Sequence, residues 1–485
     1  MKSVNKSYFV ILIFTFLVHN ISFAQILHKD SFRLRAQPAR GLASNTVTDI
    51  LVHGNTIWFG TGDGLSRTAD QGQSFVSFGV DQGIGKGSLS ALIVSDEVVW
   101  VATGFDTLTE FGQLQAGGGL AYSLDDGETW TSVPQPGVTN VQNITFDIAL
   151  RGSEVWITSF GGGLRKSVDL GQSWEIVTPD SFIFDPANIL NHRAFSVITV
   201  DSILWVGTAA GINKSTDGGS TWTNFNHANQ LEPISGNFVV ALANQRFHGE
   251  DIIWAATVET TVESEDLTEF RGISWSEDQG FTWRTALRGE FAHNFAFDDS
   301  VVYVVTDNGL YKSIDGGGTW ALFPNIVNAN GTRRILTHEY FAVGVSSGHT
   351  VWVGTADGLA KTFDNGLSWE IFQTFEPTAQ QSSPRTYAYP NPFSPSVHNI
   401  LDGMGHVRIQ YNTTQTTRVT LKIYDFAMQL VTTVVENKAR PAGDDFYEIW
   451  DGRDSRGVQV DNGVYFYRLD LEGDGTFWGK LIVLN

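Results

Sequence analysis

Three carboxylates of this 485-residue chain are candidates for acid–base chemistry or cation binding. Asp106, Glu110 and Glu263 fall in two long insertions, and a glycosidase needs two carboxylates placed across the bond that it cleaves. The acidic stretch 259–269 also offers the oxygen ligands that calcium prefers, but no EF-hand or other fixed ligand spacing accompanies it. We therefore expect a solvated acidic loop, with no metal and no cofactor.

A second set of polar residues lies where short apolar segments begin, at the predicted mouth of a central channel. A polar ring there could coordinate a ligand or ordered water. Alternatively, the Asn side chains cap the preceding turns through their own hydrogen bonds, and this second interpretation is favoured. The set consists of Asn45, Asn143, His192, Arg193, Asn237, Asn294 and Glu339.

The signatures of several well-known reactions are missing from the sequence. No His cluster has metal-ligand spacing, and neither a phosphate-binding glycine loop nor a Ser/His/Asp order stands out. The chain contains no cysteine, which excludes disulfides and thiol chemistry. We therefore assign no catalytic residue from the sequence, and an enzyme is neither supported nor excluded.

The elements that position these residues follow from one motif, S/T-x-D-x-G-x-S/T followed by an aromatic residue, which occurs seven times. Glycine permits the positive φ of a tight hairpin, and the aspartate can accept hydrogen bonds from the N–H groups of the turn. A period of about fifty residues indicates a repeat architecture. The motif aspartates are Asp70, Asp125, Asp169, Asp217, Asp278, Asp315 and Asp364.

These motifs resemble the Asp-box, or BNR repeat, of sialidases, sortilin-type receptors, some endoglucanases and the photosystem II assembly-factor propellers. The resemblance covers residues 41–376 and implies a propeller in which the box is a structural turn. A sialidase also needs an arginine triad, and the R-I-P type motif that carries its first arginine is absent here. Arg193, Arg333 and Arg334 match no motif of that family, so no catalytic role is transferred to them.

Each repeat has the same order of predicted strands, which predicts an all-β fold with seven four-stranded blades. The second strand of each blade carries an aromatic residue that is predicted to pack between blades: Trp58, Trp100, Trp156, Trp205, Trp254, Tyr303 and Trp352. The long insertions follow second or fourth strands, so they are predicted to lie on the face opposite the motifs. That face is the candidate functional surface. Whether residues 31–35 help to close the ring stays open.

Charge and the N-terminal residues predict location and exclude some partners. The formal charge of −21 disfavours nucleic acids and anionic lipids. Residues 1–24 have the pattern of a secretory signal, with Lys2 and Lys6 before an apolar run and Gln25 as the predicted mature start. No later segment approaches transmembrane length. The chain is therefore predicted to be exported, without a membrane span once the signal is removed.

The composition changes near residue 376. The predicted divisions are a signal peptide over 1–24, the propeller over 25–376, a polar linker over 377–386 and a final domain over 387–485. Alternating strands with aromatic residues and turn signals in the final domain predict a small immunoglobulin-like (Ig-like) β-sandwich.

This final domain resembles the Ig-like domain of the flagellar hook-capping protein and the C-terminal sorting domains of the type IX secretion system. The shared features are YPNPF at 389–393, V-x-L-x-I-Y-D at 419–425, WDG at 450–452, GVYFY at 463–467 and the terminal strand from Lys480. The family usually has a Gly in the turn where this chain has Ala427-Met428. The resemblance implies secretion machinery as a partner, export across the outer membrane, and release or attachment at the cell surface.

Three functions follow from these observations. The leading interpretation is a non-catalytic binding propeller with a glycan or protein ligand on its loop-rich face. The alternative is a secreted glycan-active hydrolase of the sialidase or endoglucanase kind. A third is an extracytoplasmic assembly or sensory propeller.

Overall fold

Antiparallel β-sheets make up almost all of the regular structure in the computed structural model of this chain. The structure describes residues 41–110, 112–137, 139–259, 268–375, 378, 385–443 and 445–484. In this part of the chain the only helical elements are two short 3-10 helices, Val80–Gln82 and Leu190–His192. The predicted all-β class is confirmed. The predicted signal peptide and residues 31–35 lie outside the described residues.

Seven sheets each contain four strands from one continuous stretch of chain, in sequence order. The first sheet consists of β1 (Val47–His53), β2 (Thr56–Thr61), β3 (Gly64–Thr68) and β4 (Val76–Phe78). The second consists of β5 (Ser88–Val94), β6 (Val99–Thr109), β7 (Gly112–Ser123) and β8 (Thr131–Val133). The third consists of β9 (Thr145–Arg151), β10 (Glu154–Ser159), β11 (Gly163–Ser167) and β12 (Glu175–Val177).

The remaining four sheets repeat this pattern. The fourth consists of β13 (Ala194–Val200), β14 (Ile203–Thr208), β15 (Gly211–Ser215) and β16 (Thr223–Phe225). The fifth consists of β17 (Phe238–Phe247), β18 (Glu250–Val258), β19 (Gly272–Ser276) and β20 (Arg284–Ala286). The sixth consists of β21 (Ala292–Asp298), β22 (Val301–Thr306), β23 (Gly309–Ser313) and β24 (Ala321–Leu322). The seventh consists of β25 (Tyr340–Ser346), β26 (Thr350–Thr355), β27 (Gly358–Thr362) and β28 (Glu370–Phe372).

The seven sheets form a closed ring, a seven-bladed β-propeller. The first strand of every sheet packs against the first strands of both neighbours, and β1 packs against β25 as well as β5. Val47 and Phe59 of the first sheet share a buried cluster with Trp352 and Leu359 of the last. Since each of these sheets holds its own four strands, the described residues close the ring by side-chain packing and not by exchange of a strand.

Each motif forms the hairpin between the third and fourth strands of its sheet. Asp315 Oδ1 accepts hydrogen bonds from the Ser313 hydroxyl (2.7 Å) and the Thr319 N–H (2.8 Å), and its Oδ2 accepts one from the Thr319 hydroxyl (2.8 Å). The Ser313 hydroxyl also accepts a bond from the N–H of Gly317 at 2.8 Å. The same set of bonds surrounds the other six aspartates: Asp70, Asp125, Asp169, Asp217, Asp278 and Asp364.

The second-strand aromatic residues join one sheet to the next. All six tryptophans at this position are almost completely buried, as their predicted structural role requires. A β-carbon placed on Gly127 of the second motif would lie 3.1 Å from the ring of Trp58 in the first sheet. The motif glycine is therefore needed for close packing as well as for its positive φ of 86°.

The C-terminal strands form an Ig-like β-sandwich. One sheet contains β29 (Thr386–Tyr389), β30 (Val407–Asn412) and β33 (Asp445–Trp450). The other has the order β32 (Leu430–Arg440), β31 (Thr417–Tyr424), β34 (Gly463–Leu471) and β35 (Gly475–Val483). Residues from both sheets share one buried core, which includes Ile409, Leu421, Trp450 and Leu469. The chain divides into two compact units, and the second contains Asn325–His338 together with the residues from Thr374 onward. The sequence-based domain limits remain predictions.

Candidate active site at the channel mouth

The two ends of the propeller differ in their connections. Because neighbouring strands are antiparallel, connections after second and fourth strands emerge at one end, and the motif turns lie at the other. The long connections 178–193 and 226–237 and the extended β6–β7 hairpin all emerge at the end without motifs, here called the loop-rich face. This arrangement agrees with the one predicted from the sequence.

Every first strand contains a β-bulge near the loop-rich face. The register between first and second strands skips one residue of the first strand in each of the seven sheets. Bulges re-aim side chains and are frequent beside active sites. Bulge residues of neighbouring sheets are in contact, with ring centroids 5.4 Å apart for Phe146 and Phe195, and 5.6 Å apart for His293 and Phe341. These residues, here called the bulge ring, are Thr48, Ser90, Phe146, Phe195, Val240, His293 and Phe341.

His293 belongs to a group of ionisable side chains, here called the mouth cluster, which also contains Asp307 and Glu339. His293 Nε2 lies 2.7 Å from Asp307 Oδ1, and the two side chains are 11% and 34% exposed. Asp307 directly follows β22, and Glu339 directly precedes β25. All three residues are therefore at the loop-rich ends of their strands, where the sixth and seventh sheets meet.

The electrostatics of the mouth cluster favour a protonated Glu339. Burial raises the pKa of Glu339, the negative charge of Asp307 raises it further, and His293 partly opposes both effects. A carboxyl group with a raised pKa keeps its proton closer to neutral pH, which suits it to act as a general acid. Asp307, paired with His293, is suited to the opposite role of a base.

Neighbouring groups hold the mouth cluster in place. The Asp307 N–H donates to the carbonyl of Phe291 at 3.2 Å, and the carbonyl of Glu339 accepts from the N–H of Ala356 at 3.2 Å. The imidazole of His293 also contacts the Phe291 ring, with centroids 4.9 Å apart.

A further carboxylate, that of Glu290, lies just before β21, the strand that contains His293. Glu290 accepts hydrogen bonds from the Tyr311 hydroxyl at 3.0 Å and from the Asn308 side chain at 2.9 Å. Burial and the bond to Glu290 together raise the pKa of Tyr311 to about 12, so Tyr311 stays a donor at any physiological pH. The start of the sixth sheet therefore has a carboxylate, Glu290, that two hydrogen bonds hold in place.

Two other carboxylates lie on the inner strands. Asp49 of β1 and Asp147 of β9 each directly follow a bulge residue, and each accepts a hydrogen bond from the next N–H at 2.8 Å. Burial raises the pKa of both to about 7, and the charge of Asp49 contributes to the rise at Asp147. Asp49 belongs to the first sheet and Asp147 to the third. Their charges interact across the second sheet because the first strands of all sheets surround a common axis.

The polar residues predicted at the channel mouth are mostly engaged in holding loops. The Asn143 side chain donates to the carbonyls of Pro136 and Thr139 at 2.6 and 2.8 Å. His192 is buried, with Nε2 3.0 Å from Asp180 and Nδ1 accepting the N–H of Asp185 at 2.9 Å.

Arg193, Asn237 and Asn294 have similar internal contacts. Arg193 donates to the carbonyls of Pro186 and Ala187 at 2.6 and 2.9 Å. Asn237 donates to Glu269 at 2.6 Å, and Asn294 accepts the N–H of Phe295 at 2.6 Å. These bonds fit the turn-capping interpretation, and ligand binding by the five residues from Asn143 to Asn294 stays a prediction.

The predicted carboxylates of the insertions are not all described. Asp106 and Glu110 belong to the β6–β7 hairpin of the second sheet, where Asp106 accepts a hydrogen bond from Gln113 at 2.5 Å and Glu110 is exposed. Glu263 lies outside the described residues. Within the described part of the chain no group of three His, Asp or Glu side chains is placed to hold a metal ion. No helix found there is long and apolar enough to cross a membrane.

Sequence reasoning identified Glu339 but missed its partners. Asp307 stands in the glycine-rich corner TDNGL, where the first and last blades have GTGDGL and GTADGL. An acidic residue in a corner next to the channel is a signal that could have singled it out. Nothing in the local sequence marked His293 as a site residue. Its role depends on the β-bulge between Ala292 and Asn294, which the sequence pattern does not reveal.

Comparison with known proteins finds a partial sequence similarity to one enzyme and structural similarity to solved β-propellers. No family model matches the sequence. A xyloglucanase from Paenibacillus sp. is 31% identical over 133 residues, which cover 22% of this chain and only 13% of that protein. The crystal structure of the GH74 xyloglucanase from Xanthomonas campestris has a TM-score of 0.52 and 15% identity, covering 91% of this chain and 74% of that chain. The GH74 enzyme from Niastella koreensis has a TM-score of 0.50 and 14% identity, covering 91% and 73%. At these identities the structural likeness establishes the propeller fold alone.

Proposed function

We propose that this chain is an exported, glycan-active hydrolase whose site is the mouth cluster. The observation that carries the proposal is the raised pKa of Glu339 beside the Asp307–His293 pair. Glycoside hydrolysis uses two carboxyl groups, one as an acid and the other as a base or nucleophile. The partial similarity to a xyloglucanase supports a polysaccharide as the substrate, and xyloglucan is the first polysaccharide to test.

The three side chains have separate roles in this proposal. Glu339 donates its proton to the leaving glycosidic oxygen, because burial and the charge of Asp307 raise its pKa and so favour its acid form. Asp307 acts as the base or nucleophile on the other side of the scissile bond. His293 is a positioning residue that fixes one oxygen of Asp307 at 2.7 Å.

Release of reducing ends from xyloglucan tests the proposal. We expect measurable release by the full-length protein and a fall of at least about 100-fold in Glu339→Gln and in Asp307→Asn. The matched control is Glu277→Gln, an exposed side chain next to a motif turn on the opposite face, which should keep full activity. Unchanged activity in Glu339→Gln would contradict the role of the mouth cluster. Failure of the wild-type protein to cleave xyloglucan or other β-glucans would contradict the hydrolase itself.

A binding propeller without catalysis is the second candidate. Large apolar side chains are exposed on connections of the loop-rich face: Leu108 is 85%, Ile183 91% and Leu231 97% exposed. Exposed apolar side chains on such connections can contact a ligand or a partner protein. Saturable binding of a glycan without any product, unaffected by Glu339→Gln, would favour this candidate over the hydrolase.

Export is part of the proposal. It is supported by the signal pattern of residues 1–24 and by the resemblance of residues 387–485 to sorting domains. N-terminal sequencing of the protein recovered from the cell surface or medium should identify Gln25 as the first residue. An intact N-terminus on a protein confined to the cytoplasm would contradict export.

A further inference from the structure

The outer side of one sandwich sheet alternates aromatic and basic side chains. Pairing between β31, β34 and β35 places Lys422, Arg468 and Trp478 side by side in one row across the sheet. The next row is Tyr424, Phe466 and Lys480. Residues paired directly across antiparallel strands share a face of the sheet. These six residues are here called the aromatic–basic face.

The aromatic–basic face is accessible and unlike the opposite side of the same sheet. The intervening residues Leu421, Tyr467 and Leu481 are buried in the sandwich core. By contrast, Trp478 is 49% exposed. Its ring lies 5.5 Å from that of Tyr424, and the Arg468 guanidinium lies 6.0 Å from the same indole. Trp478 is thus held by neighbours that leave its ring open to solvent, whereas Tyr424 and Phe466 are half-buried.

The charge of this face is opposite in sign to that of the whole molecule. The chain carries a formal charge of −21, yet the six residues include three cations and no acid. Asp470 in the adjoining row is occupied by Arg468 at 2.9 Å and by the Thr476 hydroxyl at 2.6 Å. Because this pair neutralises Arg468, Lys422 and Lys480 are the two cations of the face that can pair with an anionic partner.

A groove continues the face at one end. Its lining includes Arg418, Thr420, Asn437, Asp470, Glu472 and Thr476, which combines one cation with two carboxylates and with hydroxyl and amide groups. Thr420, Asp470 and Thr476 form the row next to Lys422, Arg468 and Trp478. A chain-like ligand that lies along the strands contacts successive rows, which are spaced by about 7 Å. The two carboxylates of the groove restrict the charged groups of an anionic ligand to the two rows of the aromatic–basic face.

We propose that the aromatic–basic face binds an anionic polysaccharide. The exposed ring of Trp478 stacks against the apolar face of a sugar ring, while Lys422 and Lys480 pair with carboxylate or sulfate groups. The alternation of rings with cations matches a polymer that alternates apolar sugar faces with charges. A bare polyphosphate would use the cations but leave the rings without partners, and the overall negative charge would repel its denser charge. This inference is independent of the mouth cluster, which lies in the propeller.

Binding of the full-length protein to polygalacturonate, with uncharged dextran for comparison, tests the inference. We expect saturable binding to polygalacturonate in affinity electrophoresis, weakened by salt, and no binding to dextran. The double variant Lys422→Gln/Lys480→Gln should weaken binding by about tenfold or more, and so should Trp478→Ala alone. Two variants are used because one removes charge and the other removes the ring.

The control variant is Arg456→Gln. Arg456 is an exposed cation of the same unit that pairs with Asp454 at 2.7 Å outside the six-residue face, and its loss should leave binding unchanged. Equal binding by the wild type and the double variant would overturn the inference. Binding to double-stranded DNA or to anionic vesicles as strong as binding to polygalacturonate, and insensitive to Trp478→Ala, would overturn it as well. Thermal unfolding of each variant checks that the fold is retained.

Discussion

Trp352 in the last propeller sheet packs over Gly72 in the first, so that a β-carbon on Gly72 would lie 3.1 Å from Cη2 of Trp352. The same β-carbon would lie 2.9 Å from Cζ of Phe372. Gly72 also has a φ of +87°, where a side chain is strained. The closure of the ring thus depends on the absence of a side chain at one position of the first motif.

Substitution of Gly72 by alanine should weaken this closure. We expect Gly72→Ala to lower the free energy of unfolding by about 2–4 kcal/mol, because backbone strain and overpacking add. Gly348→Ala is the control, since Gly348 has a φ of +73° but no atom within 4 Å of a β-carbon. Urea unfolding followed by tryptophan fluorescence measures both variants. An equal loss in the two would mean that contact with Trp352 adds nothing to backbone strain.

The sequence predicted the repeat well, but not how distant repeats meet. Each motif is a local hairpin, and the identity of Asp315 is dictated by bonds within five residues. Ring closure, in contrast, depends on Trp352 and Gly72, which only a closed ring brings together. The final strand was also predicted to start at Lys480, whereas β35 starts at Gly475, because it pairs with β34 along its full length.

The candidate site shows the same limit. Glu339 was recognised because it precedes an apolar strand, a feature of the local sequence. Glu339 interacts with Asp307 and His293 only because the sixth and seventh sheets pack against each other and because a bulge changes the direction of the His293 side chain. Neither is encoded by a local pattern. Residue types therefore predicted the strands and turns, whereas the site depends on contacts between sheets.

The inner carboxylates predict a dependence of propeller stability on pH. Asp147 accepts the N–H of Val197 in the next sheet at 2.8 Å, and burial raises its pKa to about 7. A carboxyl group with a raised pKa in the folded state binds more protons there than in the unfolded chain. Its stabilising contribution is therefore complete below about pH 4 and is lost as the pH rises through 7.

Asp147→Asn removes this titration while it keeps an oxygen that can accept from Val197. We expect the wild type to lose up to about 4 kcal/mol more than the variant between pH 4 and pH 8. Urea unfolding at a series of pH values measures the difference. Glu277→Gln controls for the general repulsion in an acidic chain, because Glu277 is exposed. Parallel profiles for the wild type and Asp147→Asn would contradict the raised pKa.

The motif aspartates should show the opposite dependence. Hydrogen bonds from the Thr319 N–H, the Ser313 hydroxyl and the Thr319 hydroxyl lower the pKa of Asp315 to about 2. Its contribution to stability is thus present above about pH 4 and is lost as the pH falls through 2. We expect Asp315→Asn to lower the melting temperature at pH 7 by about 2–4 °C, with a difference that shrinks towards pH 2. Asp126→Asn, an exposed position beside another motif aspartate, should have no effect. A difference that is constant with pH would show that Asp315 acts through packing alone.

Glu448 and Arg440 form a buried ion pair within the sandwich, and their loss should affect that unit. Arg440 Nη2 lies 2.6 Å from Glu448 Oε1, and both side chains are less than one tenth exposed. The Tyr411 hydroxyl donates to the same carboxylate oxygen at 2.9 Å. Glu448→Gln leaves the Arg440 charge buried without its counter-ion, and we expect a loss of about 3–5 kcal/mol.

Hydrogen exchange of the full-length protein, followed in peptides from β30 and β33, localises this effect to the sandwich. We expect faster exchange of those peptides in Glu448→Gln, with the propeller peptides unchanged. Lys438→Gln is the control, because Lys438 contacts the same carboxylate at 2.9 Å but is 42% exposed, so that water replaces much of its contribution. Equal acceleration in both variants would show that total charge matters here and burial of the pair does not.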